Sequence, residues 1–217
     1  PAPAGGAVPA GIRPGSGPQH SQSMEALLAH LPCINVGLPS TAQDAYAMLR
    51  AAVADPDPVV LIESRALYQV TGMVDLDAPV EPVGGARQRR FGTDLLIVTW
   101  GRMTTLVLQA SDELASQGIN TAVLDLRWLA PLDEDTIAAA LVEAGGKVLI
   151  VHEANLTGGF GAEIAARLAE RHFHELDGPI VRVGLPDVRV PSSPTLQAAL
   201  LPSVAPNVCV ASVLAPR

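Results

Sequence analysis

Histidines, paired acids and a glycine turn are the groups in this chain whose types and spacing could do chemistry. His20 stands in Gly17-Pro18-Gln19-His20-Ser21-Gln22-Ser23, just before a helix start. An imidazole there exchanges protons near neutral pH, and nearby helix amides favour anions. A loop imidazole bonded to its own backbone is the alternative. Asp55 and Asp57 stand in Asp55-Pro56-Asp57-Pro58, where, with loop carbonyls, they could hold a hard cation through oxygen. Read structurally, they are two turn-forming acids. His152-Glu153 closes an apolar run at the expected carboxyl edge of a sheet, where sites gather. A buried histidine bonded to a neighbouring carboxylate reads the same way. His30, His172 and His174 lie near expected helix ends, where the dipole favours them. No Ser-His-Asp order and no metal-ligand cluster emerges from spacing alone.

The elements that must position these residues alternate strand and helix. Lys147 to Arg167 reads as a buried strand, a turn at Thr157-Gly158-Gly159, and a helix carrying Ala162, Ile164, Ala165 and Leu168. The glycines at 158, 159 and 161 match neither GxGxxG nor GxxxxGK[ST], so they read as close-packing glycines, with a ligand or partner contact as the alternative. A first unit is expected as a helix opened by Ser23, a strand over 34–38, a helix capped by Ser40-Thr41 through Ala54, and a strand over 59–63. From Asp94 the pattern predicts strands at 94–99, 121–126, 147–152 and 179–184. Helices are predicted at 104–117, 134–144, 160–172 and 194–200, with Asp133 as a cap and Gly118 as a C′ residue. This is a doubly wound α/β fold. Residues 1–17 are expected as a flexible arm. Residues 18–80 form the first unit and a linker, and 81–217 the second unit. Arg87, Arg89 and Arg90 mark a polar hairpin-like entry.

Composition narrows the function classes. Hydrophobic residues make up 48% and aromatics 3%, so the core must be built from Ala, Val, Leu and Ile. A formal charge of -8 without a basic stripe argues against nucleic acid. Cys33 and Cys209 are too far apart in sequence for a metal motif, which fits a reducing compartment. No apolar run approaches the ~18 residues of a membrane span, and the start is not a secretory signal. The expectation is a cytoplasmic protein.

Several long motifs occur in order: GPQHSQSMEALLAHLPC, NVGLPSTAQDAYAMLRAAVADPDPVVLIESRALY, GTDLLIVTWGRM, LDLRWLAPLDEDTI, VHEANLTGGFGAEIA and LPDVRVPSSPTLQAALLPS. Together they resemble the beta subunit of thiamine-diphosphate-dependent 2-oxo acid dehydrogenases of the pyruvate, branched-chain and acetoin types. The resemblance implies the end of a pyrimidine-binding α/β domain, followed by a parallel-sheet transketolase C-terminal-type domain. It implies oxidative decarboxylation of a 2-oxo acid with acyl transfer to a lipoyl group, His20 acting near the cofactor. It also implies a potassium site at the turn of Asp55 and Asp57, although Asp57 stands where Asn is usual. An alpha subunit, a second beta subunit and a lipoyl acyltransferase core are the implied partners. Thiamine diphosphate and magnesium would be held by the full complex and not by this chain alone, because the family's activating glutamate and stacking aromatic precede the matched region. Cys33 takes a position usually occupied by a helix-ending αL glycine. A non-catalytic assembly or regulatory remnant, or a split transketolase-like synthase, are the alternative readings.

Overall fold

The computed structural model describes residues 5–13 and 15–204. The apolar runs become two sheets. The first has strand order β1-β3-β2-β7, from Gly5–Ala10 (β1), Asn35–Gly37 (β2), Val59–Ser64 (β3) and Trp128–Ala130 (β7). The second has order β4-β6-β5-β8-β9, from Arg87–Arg90 (β4), Leu95–Thr99 (β5), Thr121–Asp125 (β6), Val148–Asn155 (β8) and Val181–Leu185 (β9). β1, β2 and β3 are parallel, as are β5, β6, β8 and β9, while β4 and β7 pair antiparallel. Every residue of β5 and β6 is buried, as continuous apolar strands covered on both faces should be.

The connecting helices are Glu25–Ala29 (α1), Ala42–Ala54 (α2), Met103–Ser116 (α3), Glu134–Glu143 (α4), Phe160–Arg171 (α5) and Pro194–Leu200 (α6). Thr41 caps α2 by accepting the Asp44 N–H at 3.1 Å, and Asp133 caps α4 by accepting the Thr136 N–H at 3.1 Å. Each such cap is worth about 1 kcal/mol. Leu96, Val98, Leu124 and Ile150 of the second sheet share one core with Val36 and Ile62 of the first. Met103, Val107 and Leu114 cover the second sheet's other face, and Met48 packs with Trp128 on the first sheet's far side.

Three expectations are corrected. The flexible arm placed over residues 1–17 is, across Gly5–Ala10, a strand paired in register with Val59–Ser64. Backbone bonding needs no apolar side chains, and Ala10 and Ile12 at its end are buried. The helix expected to open at Ser23 starts at Glu25 without a side-chain cap. The polar entry at 87–90 is an edge strand antiparallel to β6. The pattern also gave no sign of β7. The chain leaves β6, turns at Arg127 with φ 59°, and adds Trp128–Ala130 to the first sheet, lacing the two together. Cys33 does adopt the left-handed backbone, φ 66°, at a cost of about 1 kcal/mol for a residue with a Cβ. Cys209 lies outside the described residues.

Candidate functional site

Parallel strands leave their carboxyl ends on one side, and here both sheets do so at a common seam. Gly11 follows β1, Ser64 ends β3, Trp100 follows β5 and Glu153 lies near the end of β8. With Glu25, the first residue of α1, and Arg102, just before α3, they line a small pocket of about 30 Å³.

Two carboxyl groups face this pocket. Burial pushes Glu25 up to about 7, and the neighbouring Glu153 charge adds to that, against the pull of its own backbone amide and of Trp100. Burial also pushes Glu153 up, although it accepts the Ile12 N–H and has the Arg102 guanidinium 3.6 Å away. His152 points elsewhere. Its ring stacks on Trp100 at 5.4 Å between centroids and 4° between planes, and neither ring nitrogen has a partner among the described residues. Burial, with the Arg182 charge, lowers it to about 4, so it is a neutral core ring and is not bonded to a carboxylate. Its neighbours explain the glycine turn. A Cβ on Gly159 would stand 2.8 Å from His152 Cε1, and one on Gly161 2.6 Å from Cδ2.

His20 ends a 3-10 turn, Pro18–His20, and is exposed. Its imidazole makes no hydrogen bond among the described residues, so the backbone-bonded alternative is not what the loop adopts. The loop bonds itself instead: Ser16 Oγ lies 2.8 Å from Ser21 Oγ, and Gln22 Nε2 donates to the Pro18 carbonyl at 2.9 Å. Gly15 N–H donates to Gln197 Oε1 on α6 at 3.0 Å.

Asp55 and Asp57 sit at the end of α2. Asp55 Oδ1 accepts the Asp57 N–H at 3.0 Å and Asn35 Nδ2 at 3.3 Å, which is a turn closed on itself, and Asp57 is exposed. His30 caps α1, His172 ends α5 with Nε2 3.9 Å from Glu134, and His174 lies in the following turn. The structure brings none of these to the seam.

A second buried acid cluster joins the same two units. Asp44 of α2 and Asp125 of β6 are fully buried. Arg89 bonds both, approaching Asp125 at 2.7 Å. Arg127 Nε lies 3.2 Å from Asp44, Arg87 3.4 Å from it, and both guanidiniums reach Glu81, at 2.5 and 2.6 Å. Burial pushes Asp125 up and Arg89 counters it; burial would lower Arg89, and the two aspartates outweigh it.

Residues 84–206 match the C-terminal domain of transketolase, and residues 5–71 match the transketolase pyrimidine-binding domain. The chain belongs to the transketolase C-terminal-domain family. It is 41% identical over 169 residues to the 3-methyl-2-oxobutanoate dehydrogenase subunit beta of Mycobacterium tuberculosis, covering 77% of this chain and 48% of that protein. It is 39% identical over 180 residues to the 2-oxoisovalerate dehydrogenase subunit beta of Bacillus subtilis, covering 82% of this chain and 55% of that one. The chain thus spans about half the length of these relatives. A solved split-gene transketolase, described as an inactive beta4 tetramer, superposes with TM-score 0.79 at 25% identity over 97% of this chain and 66% of its own.

Thiamine diphosphate brings a magnesium–diphosphate end that needs several oxygen ligands. Among the described residues of this transketolase-type chain, no three His, Cys, Asp or Glu side chains come together. Nor, among the described residues, is any helix long and apolar enough to cross a membrane.

Sequence reasoning passed over Glu25, Trp100, Arg102 and the whole Asp44 cluster. Two signals were available. Asp44 shares the buried stripe of α2 with Met48, Ala51 and Ala52, and Glu25 is the buried residue of the short α1. An acid on a buried face needs a partner, and the arginines at 87, 89 and 127 were there to supply one.

Proposed function

We propose that this chain is the second half of a beta-type component that decarboxylates a 2-oxo acid and hands the acyl group to a lipoyl arm. The observation that carries this is identity near 40% to 2-oxo acid dehydrogenase beta subunits over most of the chain. Thiamine diphosphate would supply the carbanion chemistry in the assembled enzyme. An alpha subunit, a second beta subunit and a lipoyl acyltransferase core are the proposed partners, and the cytoplasm the proposed compartment. His20 is the proposed catalytic residue: it stands exposed at the end of the Pro18–His20 turn and is the side-chain type that general acid–base chemistry most often uses. A monovalent cation such as potassium is proposed at the Asp55–Asp57 turn, held by its carbonyls, by Asp57 and by Asp55 Oδ2, since Asp55 Oδ1 already accepts two bonds.

The test is acylation of a lipoyl domain by the assembled enzyme, supplied with thiamine diphosphate, magnesium and a panel of 2-oxo acids. His20→Ala is expected to lower the rate by about 10²–10⁴-fold, the range of a lost general acid–base group. An unchanged rate removes His20 from the chemistry, and no turnover with any 2-oxo acid removes the reading. A second reading, a split transketolase-like synthase chain, is favoured by the likeness to the split-gene transketolase, whose solved form is an inactive tetramer. It predicts stable oligomers, no lipoyl acylation, and turnover of a transketolase-type substrate once the partner chain is supplied.

A further inference from the structure

We propose that Glu25 and Glu153 act together as positioning residues for His20, fastening both roots of the segment that carries it at one pocket of the seam. Glu153 holds the first root. It accepts the Ile12 N–H, and Gly11, with φ 80°, passes so close that a Cβ there would stand 3.0 Å from Glu153 Oε1. Arg65 steadies the same root by donating to the Gly11 carbonyl at 3.4 Å. Glu25 is the second root. It opens α1, is 3% exposed and lines the same pocket beside Trp100. Between the roots, Gln19, His20, Gln22 and Met24 are exposed.

Glu25 is almost wholly buried and the Glu153 side chain is 11% exposed, so two ionised carboxylates here would be poorly hydrated. The charged and titratable groups that face the pair are Arg102, 3.6 Å from Glu153, and Arg65 at the Gly11 root; His152 lies behind the Trp100 ring and is neutral. Ser64 contributes a hydroxyl. One guanidinium at that distance does not balance two buried acids, so near neutral pH the pair keeps one proton. Opening the roots lets that proton leave, because a hydrated glutamate ionises at its ordinary value. The segment is therefore held most firmly on the acid side and loosens as pH rises toward 7. What this does to catalysis rests on the reading of His20 above, whereas the clamp does not.

Amide hydrogen exchange on the whole protein, with any co-purifying subunit, reads the clamp without an activity assay. After correction for intrinsic rates, protection of residues 15–24 in the wild type is expected to fall by up to about tenfold per pH unit between pH 5 and 7 and then level off, since opening releases one proton. Glu25→Gln keeps a neutral hydrogen-bonding group and should hold that protection flat across the range, with β5 unchanged throughout. Glu153→Gln removes the neighbouring charge but leaves Glu25 buried, so it should make the decline shallower and move it to lower pH, which covers the case in which Glu25→Gln fails to fold. Protection that is independent of pH in the wild type, or that falls equally in both variants, overturns the proposal. A flat profile in Glu25→Gln with no loss of activity in His20→Ala would leave the clamp standing and remove the catalytic reading alone.

Discussion

Two buried acid clusters join the same pair of units, and they differ in how their charge is balanced. At the Asp44–Asp125 joint, three guanidiniums, from Arg87, Arg89 and Arg127, meet three carboxylates once Glu81 is included. At the seam, Glu25 and Glu153 share one guanidinium, 3.6 Å from Glu153. The first arrangement compensates its charges by direct bonds, although burial still leaves Asp125 raised. The second leaves one charge uncompensated, and burial turns it into a proton-holding group in the neutral range. Burial alone does not make an acid functional; the balance of partners around it decides between a joint and a titrating site.

Breaking the joint should have the largest effect. Asp44→Ala leaves Arg89 and Arg127, which are 15% and 5% exposed in their side chains, without their central acid. The expected loss is about 3–5 kcal/mol, read by chemical denaturation at pH 7. A loss under about 1 kcal/mol would mean that the network adds nothing beyond surface ion pairs.

Glu25→Gln should act in the opposite direction, and only on the alkaline side. With its folded value raised, Glu25 stays protonated while the unfolded chain ionises, so stability declines as pH rises from about 4.5 to about 7. The substitution removes that decline. It should be near neutral at pH 5 and stabilising by at most about 3 kcal/mol at pH 8.5.

His152 has the reverse sign. Its folded value is lowered, so the unfolded chain binds the proton first and stability is lost as pH falls from 6.5 toward about 4. His152→Phe keeps the stack on Trp100 and should flatten this acid limb, by at most about 3 kcal/mol at pH 4, while changing little at pH 8. Between pH 4.5 and 6.5 the two slopes oppose each other, so the wild-type profile should be flatter there than either single variant.

The smallest effect should come from Arg102→Met. That guanidinium is 25% exposed and 3.6 Å from its acid, so its removal should cost no more than about 1 kcal/mol. A cost like that of Asp44→Ala would erase the contrast between the clusters.

The α/β alternation was legible because β5, β6 and β8 are unbroken apolar runs and because caps such as Thr41 and Asp133 are local signals. The positive φ of Cys33 was legible only through the family resemblance. β1 was hidden because Gly-Gly-Ala-Val-Pro-Ala has no alternation, and its pairing with β3 is made by backbone. β7 was hidden because its three residues follow β6 almost directly, and nothing local says that the chain changes sheets. The candidate site was harder to see. His20 and His152-Glu153 stood out by type, but the meeting of Glu25 with Glu153 is a product of two sheets ending together, 128 residues apart in sequence. His152, which looked chemical, is a packing ring; its neighbour Glu153 carries the polar contacts.

The most direct test is a carbon-13 NMR titration of the glutamate side-chain carboxyls, with Glu25 assigned by its loss in Glu25→Gln. The expected midpoint for Glu25 is about 7. A midpoint near 4.5, the value of an ordinary glutamate, would show that the seam balances its acids as fully as the joint does, and the distinction between the two clusters would fall.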